Sequence, residues 1–355
     1  MNTRHTSSGR GSRGSRAMRS LIAAGAVAAV AVLAGCSTSA DGNSTDATAQ
    51  PAGAVTIGLT YTPNIQFVPF YVAEAKGFFE DEGVDVELRH HGEGEDLFGA
   101  LANGTEDFVY AGGDEITQAR AADIPVTSVA TLYNTYPATL IVPEDSDIKT
   151  AADARGKTIG TPGPYGQTYF ALLSLLQSNG LTADDVKIEH IGYTQQAALT
   201  TGAVDGVMGY INNDAVQFEK AGFPVRTIEI APADAPTLVG PSLGVADSII
   251  EGDDATITPV LEALALATQY VIDNPEESID IAAEYIPTLY TDEAKSDALA
   301  TLEATIPFLS AQDGQPLFTN DAEVWATMAT FINEQDLLEK PLEGDAFTNA
   351  YVPQG

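Results

Sequence analysis

The sequence predicts an α/β protein made of two similar lobes. Between residues 55 and 230, short segments rich in valine and isoleucine alternate with stretches of helix length, which is typical of βαβ units and mainly parallel sheets. The motif Gly-x-x-Asp-x-Val occurs at residues 104–109 and again at 202–207, each time where a strand follows a helix. This repeat indicates two lobes built alike that meet at a cleft, with the carboxyl ends of their strands facing it.

The elements follow one another in a regular order. Strands are predicted at 55–61, 84–90, 107–111, 126–132, 138–142, 157–161, 186–191, 206–211 and 225–230. Helices are predicted at 69–82, 97–103, 116–122, 167–179 and 215–221. After Ser248 the pattern becomes purely helical, with apolar stripes at 257–271 and 324–332. Asn320 or Asp321 can cap the last helix, and Trp325 in its stripe is predicted to be a core residue.

The N-terminus carries the features of an export signal. Five arginines precede an apolar stretch that begins at Leu21 and ends in Leu33-Ala34-Gly35-Cys36. This stretch is shorter than the ~20 residues that a membrane-spanning helix needs. A cysteine after Leu-Ala-Gly resembles the lipobox of bacterial lipoproteins, which implies cleavage before Cys36 and lipid on its sulfur. Residues 37–53 are small and polar and are predicted to form a flexible tether.

Charge and cysteine content narrow the functional classes. After Gly35 there are 11 basic and 50 acidic residues, a formal charge of −39. Such a surface repels nucleic acid and anionic lipid, so neither is an expected partner. The acidity either favours cationic or neutral ligands or keeps an exported protein soluble, and the second explanation carries more weight. Cys36 is the only cysteine, which excludes an intrachain disulfide.

Three segments carry a family resemblance. Residues 76–88 (KGFFEDEGVDVEL) resemble a signature of the extracytoplasmic solute-binding proteins that serve importers of nitrate, sulfonates, riboflavin and pyrimidine precursors of thiamine. Residues 61–64 (YTPN) are most similar to the pyrimidine and riboflavin members, which carry Thr-Pro-Asn after the first strand. Residues 107–115 (DFVYAGGDE) match the same branch. The resemblance spans about residues 55–230.

The resemblance implies a periplasmic-binding-protein type II fold, with two βα lobes, a hinge and a central cleft that closes on a ligand. The expected organisation is a signal peptide at 1–35 and a tether at 36–53. Lobe one would comprise 54–145 and 240–355, and lobe two 146–239. The chain would cross between the lobes near 143–147 and 236–244, which are rich in proline, glycine or acidic residues.

Candidate ligand-binding residues of lobe one follow the predicted strands. Asn64 and Gln66 come after the first strand, and their amides can donate to and accept from the edge of a heterocycle. Tyr61 can stack on a flat ring. Asp114 and Glu115 follow the third strand and open a helix. Asp114 either contacts the ligand or caps that helix, and Glu115 either accepts from ligand N–H groups or serves as a first-turn acid.

Lobe two supplies candidates for the opposite wall. The turn 161–167 (TPGPYGQ) precedes a helix whose N-terminus can receive a polar ligand atom. It lacks the Gly-Lys-Ser/Thr ending of a phosphate loop. Tyrosines and amides also follow the later strands, where they can hold a planar ring from the other side. The predicted contacts are Tyr165, Gly166, Gln167, Tyr193, Tyr210, Asn212 and Asn213.

Three functional classes remain open. The first is a receptor for a planar, nitrogen-rich vitamin precursor, the second an oxyanion receptor on the same scaffold, and the third an exported lipoprotein without a small ligand. Zinc-ligand spacing and a Gly-x-Ser-x-Gly elbow are absent from the sequence, so we expect no enzyme, cofactor or metal. The resemblance implies a monomer, anchored outside the membrane, that delivers its ligand to an ABC permease and its ATPase.

Overall fold

The computed structural model describes residues 54–354 apart from 93–94, 233–234, 236, 253 and 313. The predicted signal peptide, the lipid-attachment residue Cys36 and the whole predicted tether therefore lie outside the described residues. The described residues form one compact unit, so a fragment of residues 51–355 holds the whole folded domain.

The first five-stranded sheet has the order β2-β1-β3-β10-β4. Strand β1 is parallel to both of its neighbours, whereas β10 runs antiparallel between β3 and β4. The strands span β1 Val55–Leu59, β2 Val86–His90, β3 Phe108–Gly112, β4 Val126–Thr131 and β10 Pro241–Ala246.

The second sheet repeats this arrangement in the order β7-β6-β8-β5-β9. Strand β6 is parallel to its neighbours, and β5 runs antiparallel between β8 and β9. The strands span β5 Ala138–Pro143, β6 Thr158–Thr161, β7 Lys187–His190, β8 Gly206–Tyr210 and β9 Val225–Ile228. The chain passes between the sheets twice, through crossing segments that the structure describes at residues 132–137 and at 229–232, 235 and 237–240.

The sheets correct three expectations. They are mixed rather than mainly parallel, because four of the eight described strand pairs are antiparallel. Strand β5 pairs in the second sheet, so the first crossing lies about ten residues before the predicted 143–147. Residues 241–244 of β10 lie in the predicted crossing 236–244, whose proline and glycine residues are typical of a linker. Gly244 instead packs its backbone against Val109 and Val126, where a Cβ would lie 2.8 Å from Val126.

The repeated Gly-x-x-Asp motif performs the same task in both lobes. Gly104 and Gly202 adopt φ values of 75° and 70°, which glycine reaches without steric cost. Asp107 then accepts the backbone N–H of Thr56 at 2.8 Å. In the second sheet Asp205 accepts the N–H of Thr158 at 2.7 Å. Each aspartate thus fastens the start of its own strand to the neighbouring strand.

Helices cover the sheets and form the C-terminal part. The predicted helix at 69–82 is divided at Gly77, whose φ is 74°. Asp321 caps the last helix, as predicted, by accepting from the N–H groups of Glu323 and Val324. The helices span α1 Val68–Ala75, α2 Phe78–Asp81, α3 Gly99–Ala102, α4 Gly113–Ala121, α5 Gly166–Ser178, α6 Gln195–Thr200, α7 Asp214–Lys220, α8 Asp247–Gly252, α9 Ile257–Asp273, α10 Pro275–Tyr285, α11 Asp292–Leu309 and α12 Ala322–Glu334.

Apolar side chains pack beneath these helices. Phe67, Phe70 and Tyr71 lie in the core of the first lobe, and Trp325 of α12 is 3% exposed, as predicted for a core residue. Among the described residues one helical stretch, Asp254–Asp273, is long and apolar enough to cross a membrane. Half of it is buried inside the fold, where it packs as a core helix.

Candidate functional site

A cavity of about 360 Å³ lies where the strand ends of the two sheets meet. We call it the cleft cavity. Lobe one contributes residues that follow β1 and β3, together with two threonines of α11. Lobe two contributes residues that follow β6, β7 and β8. The carboxyl ends of parallel strands are the usual ligand-binding edge of such sheets.

Eleven of the twelve predicted ligand-binding residues line the cleft cavity. They are Tyr61, Asn64, Gln66, Glu115, Tyr165, Gly166, Gln167, Tyr193, Tyr210, Asn212 and Asn213. Asn64 also has a local task, because its Oδ1 accepts the N–H of Ile65 at 2.7 Å. That bond leaves its amide nitrogen as the group available to a ligand.

Asp114 is the exception, and its assignment to the cavity wall is corrected. Its side chain is fully buried and it is not among the cavity-lining residues. Oδ1 accepts the N–H of Glu115, and Oδ2 lies 2.6 Å from the hydroxyl of Tyr136. That hydroxyl is also 2.8 Å from the carbonyl oxygen of Gln167.

The Tyr136 hydroxyl has one proton and faces two acceptors, the Asp114 carboxyl and the Gln167 carbonyl. The protonation state of Asp114 therefore decides which hydrogen bonds form. Burial raises the pKa of Asp114 well above its usual range, and the nearby Glu115 carboxylate raises it further. A neutral Asp114 can donate to Tyr136, which then donates to the carbonyl of Gln167. This chain joins α4 of lobe one to α5 of lobe two through the first crossing segment.

Glu115 is held at the start of α4 with one oxygen engaged. Its Oε2 accepts the N–H of Gly112 at 2.8 Å, and burial raises the pKa of its carboxyl. A Cβ on Gly112 would lie 2.8 Å from Gln167 Nε2 and 3.0 Å from Glu115 Oε2. The donor and the acceptor therefore both lie within 3.0 Å of the same point beside this glycine. Such a pair complements an amide or imide edge, which offers C=O beside N–H.

Lobe two repeats the arrangement at the start of α7. Asp214 accepts the backbone N–H of Tyr210 at 2.7 Å, and burial raises its pKa as well. The hydroxyl of Tyr210 donates to Oε1 of Gln167. This bond orients the amide of Gln167 so that its nitrogen, rather than its oxygen, is left for a ligand.

Unpartnered polar atoms concentrate in the cleft cavity. In the described part of the chain, six buried side-chain nitrogen or oxygen atoms have no hydrogen-bond partner, and four of them belong to cavity-lining residues. The four are Gln167 Nε2, Asn212 Oδ1 and the hydroxyls of Tyr110 and Tyr133, of which the two hydroxyls lie next to each other. Buried polar groups are nearly always paired in folded proteins, so a set of donors and acceptors left open in one cavity points to a polar ligand.

Three tyrosines surround the mouth of the cavity. Tyr61 is 42% exposed, Tyr165 57% and Tyr193 69%. The rings of Tyr61 and Tyr193, which come from opposite lobes, have their centroids 6.2 Å apart. Exposed aromatic rings on both sides of an opening can cover the faces of a flat ligand.

Sequence reasoning missed several lining residues, among them Thr60, Tyr110, Tyr133, Thr301 and Thr305. Tyr110 lies inside β3, where alternation alone does not tell which face turns toward the cleft. Thr301 and Thr305 lie on α11, a C-terminal helix to which no site was assigned. Their signal was two hydroxyls four residues apart on one helix face.

The charged side chains in the described lining of the cleft cavity are all acidic. Its described lining contains Glu115 and Asp214 but no lysine, arginine or histidine. Within the described residues no group of three His, Cys, Asp or Glu side chains is arranged to hold a metal ion.

A second cavity of about 350 Å³ lies along both crossing segments, and we call it the crossing cavity. Apolar side chains such as Leu238, Phe308 and Leu317 form much of its lining. Tyr133 and Pro137 border both cavities.

Comparison with known proteins agrees with this architecture. The family described as NMT1/THI5 like matches residues 64–278. The riboflavin-binding protein RibY of Chloroflexus aurantiacus is 31% identical over 85% of this chain and 86% of its own length. The formylaminopyrimidine-binding protein of Halalkalibacterium halodurans is 23% identical over 89% of this chain and 94% of its own length.

One further relative and one solved structure complete the comparison. A protein of Legionella pneumophila named as a 4-amino-5-hydroxymethyl-2-methylpyrimidine phosphate synthase is 23% identical over 84% of this chain and 92% of its own length. The periplasmic aliphatic sulphonate binding protein SsuA of Escherichia coli has a TM-score of 0.67 at 20% identity, covering 82% of this chain and 95% of that one. This likeness confirms the predicted periplasmic-binding-protein fold. With two mixed sheets, a cleft between them and a family match across most of the folded domain, the chain belongs to the NMT1/THI5-like family.

Proposed function

We propose that this chain is an extracytoplasmic substrate-binding lipoprotein of an ABC importer, which captures a planar nitrogen heterocycle in the cleft cavity. The ligand would be riboflavin-like or a pyrimidine precursor of thiamine. The observation that carries the proposal is the set of four buried, unpartnered polar atoms of Tyr110, Tyr133, Gln167 and Asn212 in one cavity.

The chemistry of these groups suits a heterocycle edge. Gln167 Nε2 can donate, Asn212 Oδ1 and Glu115 can accept, and the hydroxyls of Tyr110 and Tyr133 can do either. Ring nitrogens, carbonyls and N–H groups in alternation satisfy such a mixed set, whereas an anion presents acceptors alone. The tyrosines at the mouth supply stacking surface for the faces of the ring.

A sulfonate or similar oxyanion is the alternative ligand. Helix α5 begins at Gly166 without a side-chain cap, and uncapped N–H groups at a helix start attract anions. Against this, the described lining holds two acidic residues and no cation. An anion would have to enter beside Glu115 without a compensating positive side chain, which costs free energy in a buried site.

The proposed location is the outer face of the cytoplasmic membrane. It is supported by the arginine-rich leader and by Leu33-Ala34-Gly35-Cys36. Lipid at Cys36 would anchor the domain, and the tether would let it reach a permease. Two relatives named as binding proteins support a transport role over the synthase activity named for others. The chain's one cysteine lies in the predicted lipobox, so it is not available as a cleft nucleophile.

Calorimetry on residues 51–355 tests the ligand class. Riboflavin or a formylaminopyrimidine should bind with a Kd of about 1 μM or tighter, which corresponds to about −8 kcal/mol, as a scavenging receptor requires. An aliphatic sulfonate should bind at least tenfold more weakly. Tight binding of the sulfonate together with no heat from either heterocycle would establish the alternative.

The anchor is tested in cells on the full chain. Cys36→Ser should abolish incorporation of labelled lipid and release the protein from membranes or leave its leader uncleaved. The matched control is Ser37→Ala, which should be acylated normally. An uncleaved leader by itself can retain part of the protein at the membrane, and lipid labelling distinguishes that retention from acylation. Stable anchoring takes more than one acyl chain. Unchanged labelling in Cys36→Ser would contradict the lipoprotein proposal.

A further inference from the structure

Helix α11 of lobe one contacts lobe two through a ladder of polar side chains. Its contacting residues are spaced four apart, so they lie on one face of the helix. Each one meets a side chain from the β8–α7 region of the other lobe. The three pairs are Lys220–Asp297, Gln217–Thr301 and Asn212–Thr305.

The pairs differ in burial along the ladder. Lys220 and Asp297 form an exposed ion pair at the outer end, which adds little because water screens it. Asn212 and Thr305 form the buried inner end. Asn212 is 7% exposed and Thr305 2%, and both line the cleft cavity.

Proton counting fixes the orientation of the Asn212 amide. The hydroxyl of Thr305 has a single proton, which it donates to the carbonyl oxygen of Thr301 at 2.7 Å or to the neighbouring hydroxyl of Tyr133, and in both cases the proton is committed away from Asn212. It can therefore only accept from Asn212, whose Nδ2 lies 2.8 Å away. The amide nitrogen must face α11, and Oδ1 must face away from it. That oxygen is buried and has no hydrogen-bond partner among the described residues.

We propose that Asn212 couples ligand recognition to lobe closure, with Thr305 as the residue that positions its amide. Its amide nitrogen holds α11 of the opposite lobe, and the same contact presents its amide oxygen to the ligand as an acceptor. The ligand must then carry an N–H or O–H donor at this point, because an acceptor would face a carbonyl oxygen that cannot turn away. This proposal rests on the cleft cavity being the ligand site.

A double-mutant cycle tests the coupling. Riboflavin and the formylaminopyrimidine are the probes, and calorimetry on residues 51–355 gives the affinity. Thr305→Val removes the acceptor at nearly constant volume and should weaken binding roughly tenfold, by freeing the amide to turn. Asn212→Leu should weaken it as much or more. The double variant should be no weaker than Asn212→Leu alone, since contacting residues that act as a unit are non-additive.

Two matched variants separate positioning from simple loss of a contact. Thr305→Ser keeps the hydroxyl and should restore affinity to within about threefold of wild type. Lys220→Met breaks the exposed outer pair and should also change affinity by less than about threefold. Additive losses in the double variant, or failure of Thr305→Ser to rescue, would overturn the coupling. Thermal unfolding of each variant verifies that the domain is folded.

A ligand-free measurement distinguishes this proposal from the proposed function. Residues 51–355 contain no cysteine, so spin labels can be placed by Glu87→Cys on lobe one and Asp184→Cys on lobe two, both exposed. Thr305→Val, Asn212→Leu and the double variant should each lengthen the label distance by the same amount. If wild type binds neither probe but these shifts coincide, the ligand assignment fails and the coupling through the Asn212–Thr305 contact stands. Unchanged or additive shifts would refute that coupling itself.

Discussion

The two cavities of the domain are almost equal in volume but differ in whether the polar atoms of their walls have hydrogen-bond partners. In the crossing cavity several polar side chains are engaged by the protein, and of the unpartnered buried atoms in the described residues only Tyr133 Oη, which borders both cavities, belongs to its lining. Asn134 donates to the carbonyls of Pro307 and Ser310, and Gln312 donates to the carbonyl of Asn134. In the cleft cavity the described wall leaves four buried polar atoms without a protein partner.

This difference teaches that volume alone does not identify a binding site in this fold. An apolar cavity with satisfied walls can stay empty, since it offers hydrophobic surface but no unmet hydrogen bond. A cavity with unmet donors and acceptors carries a desolvation cost that a matching ligand removes. If the unpartnered polar atoms mark the binding site, substitutions beside them should weaken ligand binding more than substitutions elsewhere.

Gly112→Val is expected to have the largest effect on affinity. A Cβ at this position would lie 2.2 Å from Asp114 Oδ1 and 2.8 Å from Gln167 Nε2. Overpacking on this scale should cost about 1–3 kcal/mol of stability and weaken binding by about 100-fold or more. Calorimetry with riboflavin measures the affinity. Gly252→Val is the matched control, because a Cβ there meets nothing within 4 Å; equal losses in both variants would contradict a local effect.

Glu115→Gln comes next. One oxygen can still accept from Gly112, but an NH₂ group replaces the acceptor that faces the cleft. Loss of a charge-assisted hydrogen bond is worth roughly 1.5–3 kcal/mol, or about 10- to 150-fold in affinity. The thermal midpoint should hardly move, because the acid at a helix start contributes under ~1 kcal/mol. If the midpoint falls while affinity is unaltered, Glu115 is only a helix-start acid.

Prediction from the sequence was most accurate where the signal is contained within a single strand or helix. All nine predicted strands are present, because runs of valine and isoleucine bounded by turn residues carry the strand signal locally. Strand β10 was missed since its Pro241 and Gly244 look like linker residues. They are accommodated only through packing against β3 and β4, which the local sequence does not contain.

The residues of the cleft cavity divide in the same way, into those that the local sequence predicts and those that only long-range packing places there. Residues at strand ends, such as Tyr61 and Gln167, could be predicted because parallel strands bring their carboxyl ends together. Thr305 could not, since its place in the cleft depends on how a C-terminal helix packs across the other lobe. Asp114 was assigned to the cavity because it follows β3, but Tyr136 from the crossing segment draws its carboxyl into the interior.

Tyr165→Ala should have a smaller effect that depends on ligand shape. Stacking of aromatic rings is worth about 0.5–1.5 kcal/mol, so riboflavin affinity should fall roughly two- to twelvefold. Tyr290→Ala is the matched control, because Tyr290 is 84% exposed and does not line the cleft cavity. Calorimetry should show no change for that variant. A loss for the Tyr290 variant as large as that for Tyr165 would remove the argument for stacking at the mouth.

Leu317→Ala is expected to change affinity least and gives the most direct contrast between the cavities. Leu317 lines the crossing cavity but not the cleft cavity, and it is partly buried against the core of the first lobe. Truncation should cost about 1 kcal/mol of stability through lost apolar burial. Riboflavin affinity should stay within about twofold, since no unmet polar atom is touched. Denaturant unfolding and calorimetry on the same sample measure both quantities. A tenfold loss of affinity with unchanged stability would mean that the ligand occupies the crossing cavity, and that unmet hydrogen bonds do not identify the site.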